Sequence, residues 1–304
     1  MSEQISKQPL VSIIMNCYNG EDYLTESIQS VLSQNYKNWE LIFWDNKSED
    51  KSAEIFKSYK DKRFKYYFAP KHTPLYEARN QAIEKSSGDF IAFLDTDDFW
   101  EKDKLELQIP FFKDPKVGVV YGNLFIVNEK LNKRKIFLKK TINPRGYILD
   151  DLLKDYCTGL VTLVIRKSFL KDYKSPFDGT FNIIGDFDLM IRMSSKYKFE
   201  CVDKPIASWR SHWKNESLLK KENEVKELKI WSKKMQDYPI IFNNKNFLNI
   251  KNIINNLETI SLILDNNRKK ARLQIKKMPY SLKKIKFLLA SVLPKNFVKR
   301  FIQF

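Results

Sequence analysis

Three carboxylates in this chain stand where their charge demands an explanation. The stretch IAFLDTDDFW (91–100) runs from residues suited to a buried strand straight into Asp95, Asp97 and Asp98. Like charges that close repel, and each raises the cost of ionising the next. Such a cluster persists where something positive sits among its members. Oxygen-rich carboxylate sites suit Mg²⁺ or Mn²⁺, which keep positions open for water and phosphate. An ion at Asp95 and Asp97 would gather a diphosphate and stabilise charge developing on a departing phosphate oxygen. The plainer reading is an acidic first turn of a helix entering at Phe99-Trp100-Glu101, worth about 0.3–1 kcal/mol per residue. That accounts for Asp98 and explains poorly why Asp95 sits at the end of a strand.

The elements that must position these groups are legible in the first half. LVSIIMNC (10–17), ELIFWD (40–45), FKYYF (64–68) and DFIAFLD (89–95) read as strands. Between them lie helical patterns through Ile28 and Val31, through Ile55 and Phe56, and over 75–85. Such alternation implies parallel strands with right-handed crossovers, hence an open α/β sheet. In such sheets a ligand sits beyond the carboxyl ends of the strands. Three of those ends are polar: Asn16-Cys17-Tyr18-Asn19, Asp45-Asn46 and Asp95-Thr96-Asp97-Asp98. Each alone could be a turn signal; together they point to one crevice. Further on, 117–127 and 160–167 read as strands, and GDFDLMIRMSSK (185–196) as a helix behind an acidic start.

The chain resembles the family 2 inverting glycosyltransferases over about residues 9 to 217. The resemblance rests on VSIIMNCYNGEDYLTESIQSVLSQNYKNWELIFWDNKSED, ARNQAIEKSSGDFIAFLDTDDFW, IIGDFDLMIRM and WRSHWKNES, in that order. It implies a GT-A fold: a Rossmann-like, mostly parallel nucleotide-binding sheet flanked by helices. It implies a nucleotide-sugar donor, a glycan or lipid-linked acceptor and Mn²⁺ or Mg²⁺. By position, Asn16, Tyr18, Asp45 and Asn46 fall on the nucleotide, with Tyr18 suited to stack on a pyrimidine. Asp45-Asn46 departs from the family's commoner Asp-Asp-Gly. An Asn amide still offers a donor and an acceptor to uracil or thymine. Arg79 is expected to contact the nucleotide or organise Asp95. Asp95 and Thr96 face the donor, and Asp97 binds the metal. Asp186 aligns with the general base that takes the acceptor hydroxyl's proton, although Gly185 precedes it where the family usually has Glu. Asp188 is the runner-up, and two residues apart on a helix the two cannot share one face. His212, in Arg210-Ser211-His212, reads as a metal ligand or phosphate contact that closes over the donor, or as a partly buried structural histidine. No Gln-x-x-Arg-Trp element of processive members occurs, so a single sugar per encounter is expected. The rival from another class is a non-catalytic sugar-nucleotide or glycan-binding module on the same fold. A nucleotidyltransferase fits less well, because Asn19-Gly20 is no Gly-rich phosphate loop.

Charge divides the chain. The formal net charge is +17, yet 220–304 holds 20 Lys+Arg against 6 Asp+Glu. Residues 1–217 are therefore expected to form the catalytic domain and 218–304 a basic, mostly helical extension. Within it, 271–304 carries 9 Lys+Arg and no acid, interleaved with apolar residues, which suits peripheral contact with an anionic membrane. No nucleic-acid motif is present, and nucleic acid is not an expected partner. Cys17, Cys157 and Cys201 form no CxxC, and MSEQISKQPL lacks the look of a signal peptide. The expected place is the cytoplasm, peripherally on the inner face of the membrane.

Overall fold

The computed structural model describes residues 8–128, 131, 133–138, 143–212, 215, 221–278 and 280–293. Contacts divide the chain into two compact units, Met1–Glu216 and Ser217–Phe304. The boundary expected at 217/218 lies outside the described residues, as do Trp213, Lys214, Glu216 and Ser217 of the closing segment and 294–304 of the tail.

The first unit is built on apolar runs. Strands β1 (Val11–Cys17), β2 (Trp39–Asp45), β3 (Phe64–Phe68) and β4 (Phe90–Phe93) pair in parallel in the order β3-β2-β1-β4. Every residue of β1 and β2 is buried, which is why both read as continuous apolar runs rather than alternating ones. Val11, Ile13, Met15 and Cys17 enter a core shared with Leu24, Ile28 and Val31 of α1 (Leu24–Leu32) and Phe56 of α2 (Ser52–Ser58). Ser12, Ile14 and Asn16 alternate to the other face. The buried residues of α3 (Leu75–Glu84) take no part in that core. The chain steps outward from β1 to β2 and β3, then returns to place β4 on β1's other side. That reversal makes β1 the switch point, where a crevice opens beyond the strand ends.

Beyond β4 the sheet becomes mixed. Strand β8 (Val164–Arg166) runs antiparallel to β4 and to β6 (Val117–Asn128), and β6 runs parallel to β9 (Lys198–Arg210). The full order is β3-β2-β1-β4-β8-β6-β9-β5, with β5 spanning Phe99–Trp100 and β7 (Lys133–Ile136) pairing β6. The helix expected to enter at Phe99 does not form there. Phe99–Trp100 is instead the short strand β5, held antiparallel on Ser208 and Ala207 of β9. Two adjacent aromatics favour a strand, and Trp100 is anchored by its indole N–H on the Val161 carbonyl, 2.9 Å away. The next helix, α4, spans Lys104–Gln108. Helices α5 (Leu149–Lys154), α6 (Lys167–Leu170) and α7 (Gly185–Ser194) complete the described α-helices of this unit, and Leu160–Thr162, expected in a strand, forms a 3-10 turn ahead of β8.

The turns at the crevice are tight. Lys47, just past β2, has φ 72°, the left-handed region that costs a side-chain-bearing residue. It stands where the family resemblance has glycine. The turn holds because Asp45 Oδ1 accepts the Ser48 N–H at 2.7 Å and the Lys47 ammonium sits 4.4 Å over the Phe68 ring. At Gly20 a Cβ would lie 2.7 Å from Thr96 Oγ1, so glycine lets the β1 loop approach the end of β4.

The second unit is helical: α8 (Lys221–Lys234), α9 (Pro239–Phe242), α10 (Phe247–Leu264), α11 (Arg268–Lys277) and α12 (Leu282–Ala290). Ile263, Ala271, Ile275, Phe287 and Ala290 form a small core. Ser281 caps α12 by accepting the Lys284 N–H at 3.2 Å. Among the described residues no helix is long and apolar enough to cross a membrane.

Candidate active site

The three carboxylates after β4 each meet a partner supplied by the fold. Arg79 Nη2, buried on α3, donates to Asp95 Oδ1 at 2.6 Å and Oδ2 at 2.8 Å. Asp95 itself stays 38% exposed, so its paired carboxylate faces the crevice. Asp97 Oδ2 lies 2.9 Å from His212 Nε2, brought in by the end of β9. Asp98 is buried and accepts the Arg210 backbone N–H at 2.9 Å. Burial, with Asp97 and Asp95 close by, pushes the Asp98 carboxyl well above the usual carboxylate range. The cluster is thus tolerated because one member is paired with a guanidinium, one faces an imidazole and one is driven toward its neutral form.

Arg210 fastens this corner. Its Nε donates to the Asp97 carbonyl at 2.9 Å, its guanidinium pairs with Glu26 of α1, and it lies 4.5 Å from the centre of the Tyr23 ring. Ser27 Oγ donates to the Thr96 carbonyl, so α1 holds both sides of the Asp-Thr-Asp turn. Asn215, absent from the sequence reading, orders His212. Its Oδ1 accepts the His212 backbone N–H at 2.6 Å and its Nδ2 donates to the Arg210 carbonyl at 3.1 Å.

Asp186 approaches from a separate helix. It sits in the first turn of α7, partly buried, where Tyr76 of α3 donates to its Oδ1 at 3.2 Å. Burial raises the Asp186 carboxyl, against the charge of Arg79 and the Tyr76 hydroxyl, which lower it. Tyr76 and Arg79, three apart on α3, thereby set Asp186 and Asp95 from one helix face. Tyr76 also accounts for the departure at Gly185, since a Cβ there would fall 2.5–2.6 Å from the Tyr76 ring. Asp188, the runner-up, is engaged inside the protein. It is buried and receives Arg192 Nε at 3.0 Å and Nη2 at 2.6 Å in an i,i+4 ion pair.

On the nucleotide side, two of the expected residues are engaged within the protein. Asn46 was expected to read a base, but its amide is engaged inside the protein. Nδ2 donates to the Thr73 carbonyl at 2.7 Å, and Oδ1 accepts the Thr73 N–H at 3.1 Å. Asp45 is wholly buried, accepting from Ser48 N and, at 2.6 Å, from the Tyr66 hydroxyl. Both residues shape the loops beside the crevice. Asn16 is the opposite case: it is 8% exposed, and both its amide atoms are buried without a hydrogen-bond partner. It pairs in register with Trp44, whose indole N–H is likewise unpartnered. Tyr18 is 55% exposed, its ring centre 4.4 Å from that of His72, and His72 Nδ1 lies 3.0 Å from the Asn46 carbonyl oxygen. His72 is a rim residue that its isolated place in the sequence conceals.

The donor set fits a divalent ion as a partial site. Among the described residues no three His, Cys, Asp or Glu form a ready cage. An octahedral Mg²⁺ takes only one or two carboxylates, with water and substrate phosphates completing the shell at about 2.0–2.1 Å, so neighbouring ligands stand about 2.9 Å apart. Asp97 Oδ2 and His212 Nε2 already hold that spacing. Asn215 Nδ2 lies 3.2 Å from the same His212 nitrogen.

Comparison with known proteins follows the same lines. A family model described as "Glycosyl transferase family 2" matches residues 12–173. The chain is 37% identical over 168 residues to the Escherichia coli UDP-Glc:alpha-D-GlcNAc-diphosphoundecaprenol beta-1,3-glucosyltransferase WfgD, covering 55% of this chain and 64% of that protein. It is 32% identical over 162 residues to the putative teichuronic acid biosynthesis glycosyltransferase TuaG of Bacillus subtilis, covering 53% and 63%. The matched stretch therefore spans under two thirds of these relatives. Among solved structures, S. aureus TarS 1-349 in complex with UDP-GlcNAc superposes with a TM-score of 0.61 at 16% identity, covering 95% of this chain and 91% of that one. The mannosyltransferase PcManGT from Pyrobaculum calidifontis, in complex with GDP-Man and Mn²⁺, gives 0.63 at 15% identity, covering 98% and 86%. At such identities the structures speak for a shared fold.

Proposed function

The chain belongs to glycosyl transferase family 2, and from that premise we propose that it moves one sugar from a UDP-sugar to a glycan or lipid-linked acceptor, with inversion, in surface polysaccharide biosynthesis. The observation that carries this reading is the pairing of Asp95 with buried Arg79 and of Asp97 with His212 at the switch point, with Asp186 delivered from another helix. Uridine as the nucleotide is favoured by WfgD, named for UDP-Glc, and by the UDP-GlcNAc complex of TarS.

In this reading Tyr18 stacks on the base, and the unpartnered amide of Asn16 offers it a donor and an acceptor. Asp95 faces the ribose and Thr96 lies beside it. Asp97 and His212 hold a divalent ion, which when bound supplies Lewis-acid stabilisation of charge on the diphosphate. The acceptor hydroxyl oxygen attacks the anomeric carbon from the face opposite the diphosphate. As that C–O bond forms, the bond to the diphosphate oxygen breaks and the nucleoside diphosphate leaves with the electron pair. Asp186 takes the hydroxyl proton, and its raised carboxyl is the better base for it. Arg79 keeps Asp95 in place and favours the ionised form of Asp186. The basic second unit supports work at an anionic membrane on the cytoplasmic side, where a lipid-linked acceptor would be met.

Calorimetric titration of UDP with and without Mn²⁺ tests the donor site. Binding should require the metal, and Asp97→Ala should abolish the metal-supported affinity. Silence toward UDP, GDP and dTDP alike would overturn the reading in favour of a non-catalytic glycan-binding module.

A further inference from the structure

The second unit contains a cavity of about 620 Å³ between α10, α11 and α12. Its lining is unusual in chemistry. Asn252, Asn255 and Asn256 present amides from one face of α10, while Lys270 and Lys277 come from one face of α11 and Lys283 from α12. No Asp or Glu lines it. A volume of this order takes a small ligand, and lysines with amide donors suit a phosphate group.

The helix beside the cavity has an apolar face turned outward. Phe287 and Ala290 of α12 are buried in the small core, yet Leu282 is 87% exposed, Leu289 51% and, in the turn just past the helix, Val292 55%. With Ile285 and Leu288, also exposed, these residues recur at three- and four-residue spacing and so form one stripe. By helical position Lys286 borders it on one side and Lys284 on the other, the Lys284 ammonium being held by the Lys276 and Met278 carbonyls at 3.1 and 2.6 Å. An exposed apolar stripe bordered by lysines is the pattern of a helix lying in a membrane interface.

We propose that this groove is a binding site for the phosphate headgroup of an anionic phospholipid in a bilayer, with α12 laid into the interface by its Leu282–Val292 stripe. The inference rests on the membrane contact proposed above and adds to it a defined site. Lipid phosphate sits among the lysines and asparagines while the stripe meets the acyl boundary. Net positive charge alone would make any basic face of the unit equivalent, whereas the groove makes Lys270 and Lys277 special.

The test uses the full chain and co-flotation with phosphatidylcholine vesicles, with and without about one third phosphatidylglycerol. Wild type should float only with the anionic vesicles. Lys270→Gln with Lys277→Gln should weaken that binding about thirtyfold, at about 1 kcal/mol per lysine. The control pair Lys226→Gln with Lys233→Gln removes the same charge from exposed positions of α8, away from the groove, and should weaken it far less. Equal losses for the two pairs would overturn the groove while leaving membrane contact standing. No flotation of wild type would overturn both. Insertion has its own readout. Cys17, Cys157 and Cys201 are buried, so a fluorophore placed on Leu289→Cys labels that site selectively. Its emission should shift to the blue with anionic vesicles, and an unchanged spectrum would overturn the orientation of α12.

Discussion

Asp186 and Asp188 differ by one residue in between and by everything around them. Asp186 rests partly buried under the Tyr76 hydroxyl, its carboxyl raised, whereas Asp188 is closed off by Arg192. Asp186→Asn keeps size and hydrogen bonding but cannot take a proton. Turnover should fall about 10²–10⁴-fold while calorimetric UDP affinity stays at the wild-type level. Asp188→Asn should instead cost about 3–5 kcal/mol of stability, because it strands the buried Arg192 charge. Full turnover in the Asp186 variant would move the base elsewhere. Sequence could name Asp186 but not choose its neighbour's role, since helix spacing says only that the two faces differ. Arg79 was legible as an organiser of Asp95. Tyr76, His72 and Asn215 were not, because each acts through a contact that exists only after folding. The i,i+3 spacing of Tyr76 and Arg79 was the one local signal available.

The same distinction holds for elements. Strands β1 to β4 were legible within a few residues because buried parallel strands leave continuous apolar runs. β5 was not, because two residues carry no period and their conformation is set by the open edge of β9. The loop after β2 is where local pattern and tertiary use part company. An Asn in a turn can serve a ligand or the backbone, and Asn46 serves Thr73 in both directions. Thr73 is 3% exposed, so Asn46→Ala leaves a buried N–H and a buried carbonyl without their partner. Urea unfolding should register a loss of about 1–3 kcal/mol. UDP should also bind more weakly, because the Asn46 side chain clamps Thr73 and so the adjoining His72, whose ring lies beside Tyr18. Asn46→Asp keeps the acceptor but sets a buried carboxylate oxygen against the Thr73 carbonyl, and should cost at least as much stability. A wild-type midpoint together with wild-type affinity in the Ala variant would sink the view of this loop as a clamp.

At the scale of the whole molecule the charge is lopsided: residues 1–219 hold 34 Lys+Arg against 31 Asp+Glu, and the excess belongs to the remainder. The near-balanced part nevertheless encloses a lysine. Lys104 is wholly buried, its amine 2.8 Å from Gln108 Oε1 and 4.2 Å from the centre of the Trp100 ring. Gln108 in turn donates to the Val120 and Thr162 carbonyls, so the amine sits on the polar link between α4 and the sheet. Nothing in the sequence marks this lysine, since in a chain so rich in Lys it reads as surface. Burial drives its amine well below the ordinary lysine value. The unfolded chain then binds a proton that the folded chain refuses, at every pH between the depressed value and about 10.4. Stability from this group therefore rises with pH across that window, by about 1.4 kcal/mol per unit. Lys104→Met removes the titration and leaves a fixed offset at Gln108. Denaturant unfolding followed by tryptophan fluorescence, with Trp100 as the adjacent reporter, should show the stability of the wild type relative to Lys104→Met rising from neutral pH toward about pH 10. Other titrating groups are common to both and cancel. Parallel stability curves would mean that the buried amine keeps its charge, held by Gln108 and the Trp100 face.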